Sequence, residues 1–543
     1  MKRFFLFTAI LLSLSSFAQT KMERAEQALD QKDYAAVIQY TTDHLKDAPK
    51  DAKALATRAY AFIAQNDDLA ALADINAAIK YWDKKCSIPL GNLYCIRGLI
   101  HENLGEAKSA LNDYNTAVKK DKKNAFCYEC RAKFYYKIEA YDKAEADYRK
   151  AYELDETDTE SAIEIARCLL QQNKLEEAAT TLDKIIRYEP MNAEAKRLRA
   201  IMYLYNDENK PFVDLYVSYL SLVDNGDLDM LLYVASKEYA YVLKAINEKL
   251  KAANSDNTRF YWLGVRVRVY QVKEQYTDAL ADLRAMKAML SDTVTNTFVT
   301  YQTAECHFAL YEYTEAAKMY TKLIELSSTS AYDSSLRYRR GMCFANLGRH
   351  QEAISDYSSI IENDIDAAPS AYYGRGLVKE ALKDFEGALE DYNKGLLLED
   401  NNTYLLMMRG RLLLLQKQDT IRANMDFNKI LETDTTLENS CRSYALMYMG
   451  RYDEAIEWNK MILESDPSAY NYYDAACLYS RMNKKQEAIK YFKECLELGY
   501  RNFGHIEEDS DLDAIRDMQE FKDLMAKYRK EKIRNLFDKL PTE

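Results

Sequence analysis

The side chains that most often carry out catalysis or bind metals are scattered in this sequence. No two of its five histidines have the His-x-x-x-His spacing with which one helix holds zinc. The sequence has no glycine-rich phosphate loop and no Gly-x-Ser-x-Gly turn of the kind that exposes a serine nucleophile. Carboxylates are plentiful, but they alternate with lysines and arginines, and we expect them on solvated helix faces. We therefore expect a protein that is not an enzyme and that needs no metal or other cofactor.

Ten cysteines raise the question of disulfides. Cys127 and Cys130 have the spacing of a redox motif, but the pattern places both on one helix. Cβ atoms three residues apart on a helix are about 5–6 Å from each other, which is too far for an unstrained bridge. Cys86 and Cys95 are better placed, because the short insert 86–90 gives the backbone freedom to move. Two states stay open for this pair: a disulfide or two free thiols.

A pair of opposite charges recurs along the chain. Six times an arginine is followed by an aspartate 16 residues later, and once the offset is 17. A ligand-binding arginine would not require an aspartate at a constant offset, so we favour a bidentate ion pair that ties two helices together over a ligand site. The pairs are Arg58/Asp74, Arg97/Asp113, Arg131/Asp147, Arg266/Asp282, Arg340/Asp356, Arg375/Asp391 and Arg409/Asp426.

Helical hairpins position these pairs, and two consecutive copies are clearest between Ser334 and Asn402. Four landmarks return after 35 residues: the arginine, the glycine after it, the alanine that opens the second helix, and the aspartate with the tyrosine after it. A period near 34 residues is typical of a solenoid, in which each hairpin buries its apolar face against its neighbours. The two copies carry Arg340-Gly341, Ala353 and Asp356-Tyr357, then Arg375-Gly376, Ala388 and Asp391-Tyr392.

These landmarks resemble those of the tetratricopeptide repeat, with small residues where the helices cross and aromatic residues beside them. The resemblance covers about residues 21–500. It implies an all-α fold, a right-handed α-solenoid of about 12–14 antiparallel helical hairpins with C-terminal capping helices. It also implies binding of protein or peptide partners, which in this family generally lie in the concave groove.

The repeat pattern varies in clarity along the chain. The landmarks fade between Ala193 and Arg259, where we expect two degenerate hairpins. The predicted organisation is an N-terminal lobe over 19–205, degenerate repeats over 206–259, a C-terminal lobe over 260–500 and capping helices over 501–543.

The first 18 residues have the pattern of a secretory signal peptide. Lys2-Arg3 precede an apolar stretch over 4–14, and small residues end at Ala18. We expect cleavage after Ala18, with an uncleaved buried helix as the alternative. No second apolar run is long enough to cross a membrane, so the mature chain is expected in the periplasm, or alternatively secreted or peripherally attached to the outer membrane.

The C-terminal lobe repeats aromatic and methionine residues on its predicted first helices. Tyrosine offers a large contact area at low entropic cost, together with a hydroxyl group, so these positions form the predicted partner-binding groove. Packing between repeats is the alternative role. The positions are Phe298, Tyr301, Tyr338, Met342, Tyr373, Leu377, Tyr404, Met408, Tyr444, Met447, Tyr470 and Tyr473.

The sequence therefore predicts a non-catalytic scaffold of the bacterial cell envelope that binds a protein or peptide partner. The alternative is a structural accessory subunit of an envelope assembly or secretion complex, in which the edges of the array matter more than its groove. Nucleic acid is not expected as a partner, because the formal charge is −12 and no basic stripe is present.

Overall fold

The computed structural model of the protein describes residues 20–223, 226–290, 296–326, 333–437 and 439–537. All regular secondary structure in these ranges is helical, which confirms the predicted all-α fold. The predicted signal peptide, 1–18, lies outside them. Within the same ranges, no helix is both long and apolar enough to cross a membrane.

The chain divides into two compact units between Ala245 and Ile246. We number the helices in chain order. The first thirteen are α1 (Lys21–Asp30), α2 (Tyr34–Asp47), α3 (Ala52–Ala64), α4 (Asp68–Tyr81), α5 (Leu90–Asn103), α6 (Ala107–Lys120), α7 (Ala125–Lys137), α8 (Tyr141–Leu154), α9 (Thr159–Gln171), α10 (Leu175–Tyr188), α11 (Ala193–Tyr205), α12 (Asn209–Leu220) and α13 (Asp229–Lys237).

The division falls inside α14 (Tyr239–Ala252). The C-terminal unit continues with α15 (Asp256–Val272), α16 (Tyr276–Ala288), α17 (Thr297–Ala309), α18 (Tyr313–Leu326), α19 (Asp333–Asn346), α20 (His350–Asn363), α21 (Ala368–Ala381), α22 (Phe385–Leu398), α23 (Thr403–Gln416), α24 (Thr420–Thr433), α25 (Cys441–Tyr448), α26 (Tyr452–Ser465), α27 (Ala469–Arg481) and α28 (Lys485–Glu497). It ends with α29 (Phe503–Glu508), a short 3-10 helix (Ser510–Leu512), α30 (Asp513–Arg516) and α31 (Gln519–Phe537).

Within the described ranges, thirteen pairs of consecutive helices pack as hairpins, and each turn contains one residue in the left-handed conformation. Such a residue ends the first helix and reverses the chain within a few residues. After Gly348, for example, the backbone N–H of Arg349 donates to the carbonyl oxygen of Phe344 at 2.8 Å. The turn residues are Lys32, Asn66, Gly105, Glu139, Asn173, Asp207, Glu274, Tyr311, Gly348, Lys383, Gln418, Gly450 and Asn483.

Between Ala193 and Arg259, where the repeat landmarks are weak, the structure differs from the prediction in the second half of the stretch. Of the two degenerate hairpins expected between Ala193 and Arg259, the first, α11 with α12, is regular. The second is replaced by α13 and α14, which are joined by Glu238 alone and do not pack along each other. A single linking residue is too short to reverse the chain into an antiparallel hairpin.

Small residues lie where the two helices of a hairpin cross. A Cβ atom added at Gly410 would lie 2.6 Å from the ring of Phe427, and one added at Gly341 would lie 3.0 Å from the ring of Tyr357. Both rings are buried. The repeated glycine therefore makes room for the aromatic side chain of the second helix, and this contact fixes the crossing.

Candidate partner-binding surface

The seven recurrent arginines all pair with their aspartates inside one hairpin. Each donates from Nε and Nη2 to the two carboxylate oxygens at 2.6–2.9 Å. For Arg340, the hydrogen bond to Asp356 raises the pKa of the guanidinium above its usual value. These side chains join helix to helix, so they are not free to bind a partner.

The expectation that acidic side chains lie on solvated helix faces is wrong for the aspartates of these seven pairs, and the structure corrects it. All seven are buried, with between 1% and 7% of the residue exposed: Asp74, Asp113, Asp147, Asp282, Asp356, Asp391 and Asp426. The physical reason is that the guanidinium of the same hairpin supplies the hydrogen bonds and the positive charge that water would otherwise provide. A carboxylate paired in this way holds the hairpin together and offers no acidic group to a ligand.

Each of these arginines also reaches the helix that precedes its own hairpin, which the sequence prediction missed. Arg131 Nη1 donates to Asn115 Oδ1 at 2.8 Å, and Arg375 Nη1 donates to Ser358 Oγ at 2.8 Å. A sequence signal exists, because the acceptor in these cases lies two residues after the aspartate of the preceding hairpin. The other acceptors are Thr42, Asn76, Asn247, Thr321 and Asn393.

The twelve predicted groove residues lie on the first helices of six successive hairpins, α17 to α27, but they differ in exposure. Three are exposed: Phe298 (36%), Tyr404 (47%) and Tyr470 (57%). Seven are half-buried: Tyr301, Tyr338, Met342, Tyr373, Leu377, Met408 and Tyr444. Two are buried: Met447 and Tyr473.

The assignment of Tyr473 and Met447 to an open groove is corrected by the structure. The ring of Tyr473 stacks on Tyr500 at 4.4 Å, and its hydroxyl donates to Asp509 Oδ2 at 2.7 Å. Met447 lies in the apolar cluster with Leu446 and Leu478. The physical reasons differ: the segment after α28 folds back over α27 and covers Tyr473, whereas Met447 is buried by packing between the hairpins α25–α26 and α27–α28.

Tyr338 also packs within the repeats, the role that the sequence analysis gave as the alternative. Its ring centroid lies 5.6 Å from that of the buried Tyr357, and it contacts the core of α18–α20. Tyr373 packs against Tyr404 at 5.8 Å. Substitution of Tyr338 and Tyr373 would therefore change both packing and the surface, and it is a poor test of partner binding.

One cavity of the C-terminal unit has a volume of ≈ 680 Å³. Its walls come from α15 to α19 on one side and from the start of α27 and the end of α28 on the other. It brings together two of the predicted groove residues, Tyr301 and Tyr470, and leaves the other ten outside. The lining also includes Arg268, Gln271, Glu274, Tyr276, Gln302, Glu305, Phe308, Tyr311 and Arg339. We call this cavity the tyrosine pocket.

One cation in the tyrosine pocket is available to a ligand. Within the described ranges, the half-buried Arg268 makes no hydrogen bond or ion pair. In contrast, Arg339 Nη2 lies 3.2 Å from Glu305 Oε2 and its guanidinium lies over the ring of Phe308. The pocket therefore offers one guanidinium without a bonding partner in the described ranges, beside aromatic walls and the carboxylate of Glu274. An arginine among aromatic rings suits an apolar side chain and a carboxylate.

The tyrosine pocket is closed on one side by a contact between hairpins that are distant in sequence. Tyr311, in the turn between α17 and α18, has a φ of 58° and lies 5.6 Å from the ring of Tyr500. Its hydroxyl is hydrogen-bonded to that of Tyr470. Asn502 Nδ2 also donates to Asn346 Oδ1 at 2.9 Å. A tyrosine in the left-handed region is uncommon, and here the contacts around its ring hold it.

Sequence models of the tetratricopeptide repeat match residues 138–201, 301–368, 369–402 and 469–498. These matches fall on the helical hairpins described above. The chain is a tetratricopeptide repeat protein.

Several known proteins resemble this repeat protein over long stretches. Human DnaJ homolog subfamily C member 7 is 24% identical over 365 residues, which cover 64% of this chain and 67% of that protein. The Hsp70-Hsp90 organizing protein of Triticum aestivum is 24% identical over 273 residues, or 50% of this chain and 40% of that protein. Among solved structures, yeast Tom70 is 15% identical, covering 90% of this chain and 97% of that one with a TM-score of 0.38.

Three carboxylates of this tetratricopeptide repeat protein lie near one another: Asp474, Asp509 and Asp511. Asp474 on α27 accepts a hydrogen bond from Ser440 Oγ at 2.5 Å. Burial raises the pKa of Asp474 to about 6, and the negative charges of Asp509 and Asp511 act in the same direction. Burial likewise raises the pKa of Asp511, against the attraction of nearby positive charges. Other groups near this cluster are Tyr473, Cys477, Arg411, Arg481 and His505.

We expect Asp474→Asn to stabilise the C-terminal unit at neutral pH. An unfolded aspartate has a pKa of about 3.9, so the folded state with its raised pKa loses stability as the pH rises from about 4 through 6. A difference of about two pKa units corresponds to roughly 2–3 kcal/mol above pH 7. Urea unfolding of both proteins at pH 7.5 and pH 4.5 should show this gain at the higher pH and only about a third of it at the lower. An equal difference at both values would contradict the raised pKa.

Cys86 and Cys95, the predicted disulfide pair, are both free thiols in the structure. Cys86 follows the end of α4, whereas Cys95 is buried on α5 and contacts Cys127 and Cys130 of the next hairpin. The prediction considered neighbours along the chain, and the contacts of Cys95 are instead made across the stack of repeats.

Proposed function

We propose that this protein is a scaffold of the bacterial cell envelope that binds a segment of a partner protein in the tyrosine pocket. As a tetratricopeptide repeat protein it is a protein-interaction scaffold, and the pocket supplies the site. The observation that carries the proposal is Arg268, a half-buried cation without a partner in the described ranges, set among tyrosine rings. A charge left unpaired in such surroundings favours binding of a carboxylate.

The chemistry of the pocket defines the segment that it would take. Tyr276, Tyr301 and Tyr470 provide large, partly rigid contact surfaces with hydroxyl groups. Arg268 provides a planar fork of N–H donors that matches a carboxylate. The proposed ligand is therefore a peptide segment that carries an aromatic or aliphatic side chain close to an acidic residue or to a terminal carboxylate.

The cellular location is a separate part of the proposal and rests on the N-terminal sequence. The basic start, the apolar stretch and the small residues before Gln19 support export to the periplasm. Fractionation of the native bacterium followed by N-terminal sequencing should give a periplasmic chain that begins at Gln19. Recovery of the intact chain with the cytoplasmic fraction would contradict it.

A second function, a structural subunit of an envelope assembly, is favoured by apolar side chains on the second helices. Leu397 is 84% exposed, Ile421 is 79% exposed and Met425 is 66% exposed. Side chains of this type on an outer surface can contact a neighbouring subunit. A partner held there would not need the tyrosine pocket.

Affinity capture with two variants separates the two functions. The tagged mature chain, Arg268→Glu and Ile421→Asp would be used in parallel on envelope extracts, and bound proteins would be quantified by mass spectrometry. The scaffold proposal predicts a partner that is lost with Arg268→Glu and kept with Ile421→Asp. The opposite pattern would support the structural subunit and overturn the pocket. Circular dichroism of both variants checks that the repeats remain folded.

A further inference from the structure

Three cysteines of the N-terminal unit meet in one place. Cys95 lies on α5, and Cys127 and Cys130 lie on α7, the first helix of the next hairpin. All three pack in one small apolar cluster with Ala117, Tyr94 and Val118. Cys95 thus lies beside both of the other thiols. Their sulfur atoms are therefore neighbours in space although they come from two hairpins.

The close approach of α5 and α7 brings these thiols together. A Cβ atom added at Gly91, one turn before Cys95, would lie only 2.6 Å from Cys127 Sγ. The repeat period places the thiols opposite each other: Arg97 corresponds to Arg131, so Cys95 corresponds to Glu129, which lies between Cys127 and Cys130. Equivalent positions of adjacent first helices lie at the same level of a stacked array, so side chains near these positions can meet across the interface.

The three thiols differ in their access to solvent. Cys127 is 0% exposed and Cys95 is 2% exposed, whereas Cys130 is half-buried. The hydrogen bonds from Cys127 and Cys130, together with burial, raise the pKa of the Cys95 thiol well above its usual value. A reagent in solution therefore meets Cys130 first, and Cys95 is the buried neighbour that can react with the product.

We propose that Cys95 and Cys130 are a disulfide-forming pair that links adjacent hairpins of the N-terminal unit. The oxidant is a disulfide, either of glutathione or of a thiol–disulfide oxidoreductase. The Cys130 thiolate attacks one sulfur of this disulfide, forms a mixed disulfide and releases one thiolate. The sulfur of Cys95 then attacks Cys130 Sγ while its proton passes to the departing sulfur, which leaves as the second thiol. Two protein thiols lose two electrons, which the oxidant gains as it becomes two thiols.

The bridge would stabilise the stack between the two hairpins. It joins α5 to α7, so it holds together the hairpins α5–α6 and α7–α8. Their interface also contains apolar packing and the hydrogen bonds from Arg131 to Asn115 and from Asn124 to Asn92. A crosslink between residues 35 positions apart limits the unfolded chain, and this stabilises the folded unit. The melting temperature should therefore rise on oxidation.

The test uses the full mature chain, first reduced and then incubated with oxidised glutathione without denaturant. After denaturation, alkylation and peptide mapping, we expect a linked peptide that contains Cys95 and Cys130. Of the ten thiols, two are then in the bridge, so eight can be alkylated. The oxidised chain should melt at a higher temperature than the reduced chain. Ten alkylated thiols in the folded, oxidant-treated chain would overturn the proposal.

Three variants identify the pair. Cys130→Ser should lose both the linked peptide and the increase in melting temperature, whereas Cys127→Ser should keep both. Cys86→Ser is the matched control, because Cys86 is also incompletely buried but lies outside the cluster, and it should behave as the wild type. A bridge that contains Cys86, or one that survives in Cys130→Ser, would overturn the assignment. If a variant fails to fold, the peptide map of the wild-type chain still shows which two cysteines form the bridge.

Discussion

Replacing Asp356 with arginine is expected to destabilise the C-terminal unit by about 3–5 kcal/mol, the range found when one partner of a buried ion pair is removed. Asp356 is 3% exposed and accepts two hydrogen bonds from Arg340. Arg337 Nη1 also lies 3.8 Å from its carboxylate. The substitution would therefore leave three guanidinium groups together in a place with little water. Urea unfolding and hydrogen exchange of α19 and α20 would measure the loss.

A second substitution tests whether the pair itself is responsible. Adding Arg340→Asp to Asp356→Arg restores one positive and one negative charge, so we expect partial recovery and a coupling energy above the ~0–1 kcal/mol of exposed pairs. Glu352→Arg is the matched control on the same hairpin, since Glu352 and Arg349 form an exposed pair. It should unfold as the wild type does. A coupling energy near zero between Asp356 and Arg340 would show that the constant offset has another cause.

The second large effect concerns the tyrosine pocket. Arg268→Glu combined with Tyr470→Ala should weaken partner binding by about 100-fold or more, because anchor residues commonly contribute ~2 kcal/mol each and each 1.4 kcal/mol is tenfold. Neither side chain is buried, but Tyr470 also contacts Tyr311 and Tyr500, so circular dichroism of the double variant checks that the repeats remain folded. Isothermal titration calorimetry with the captured partner, or with its segment as a peptide, gives the dissociation constants.

The control for this double variant is Tyr404→Ala. Tyr404 is 47% exposed on a first helix of the same unit but does not line the tyrosine pocket. It should bind the partner as the wild type does. Loss of binding in Tyr404→Ala with normal binding in the double variant would show that the partner binds elsewhere on the first helices of the hairpins, outside the tyrosine pocket.

The hairpins were predictable from the sequence because the forces that form them are local. The helical period, the small residue beside each aromatic ring and the turn residue all act within about 34 residues. Gly341 beside Tyr357 is one such case. The offset between Arg340 and Asp356 is constant for the same reason, since both side chains belong to one hairpin.

The tyrosine pocket was not predictable, because it depends on contacts between distant hairpins. Asn346 and Asn502 are 156 residues apart, yet they are hydrogen-bonded. Such contacts depend on the small rotation between successive repeats, summed over many of them, which a single sequence does not reveal. The sequence therefore identified Tyr301 and Tyr470 as groove residues but did not show that they meet in one pocket. It also placed Tyr473, which the C-terminal segment covers, wrongly.

Site-specific photo-crosslinking tests most directly whether a partner binds in the tyrosine pocket. A photoreactive phenylalanine derivative would replace Tyr301 in the pocket or Ile421 on an outer second helix, and the crosslinked peptides would be identified by mass spectrometry after irradiation of living cells. The account predicts a defined partner segment with an acidic group and an apolar side chain, linked from position 301 and absent from position 421. Crosslinks from position 421 alone, with none from position 301, would contradict it.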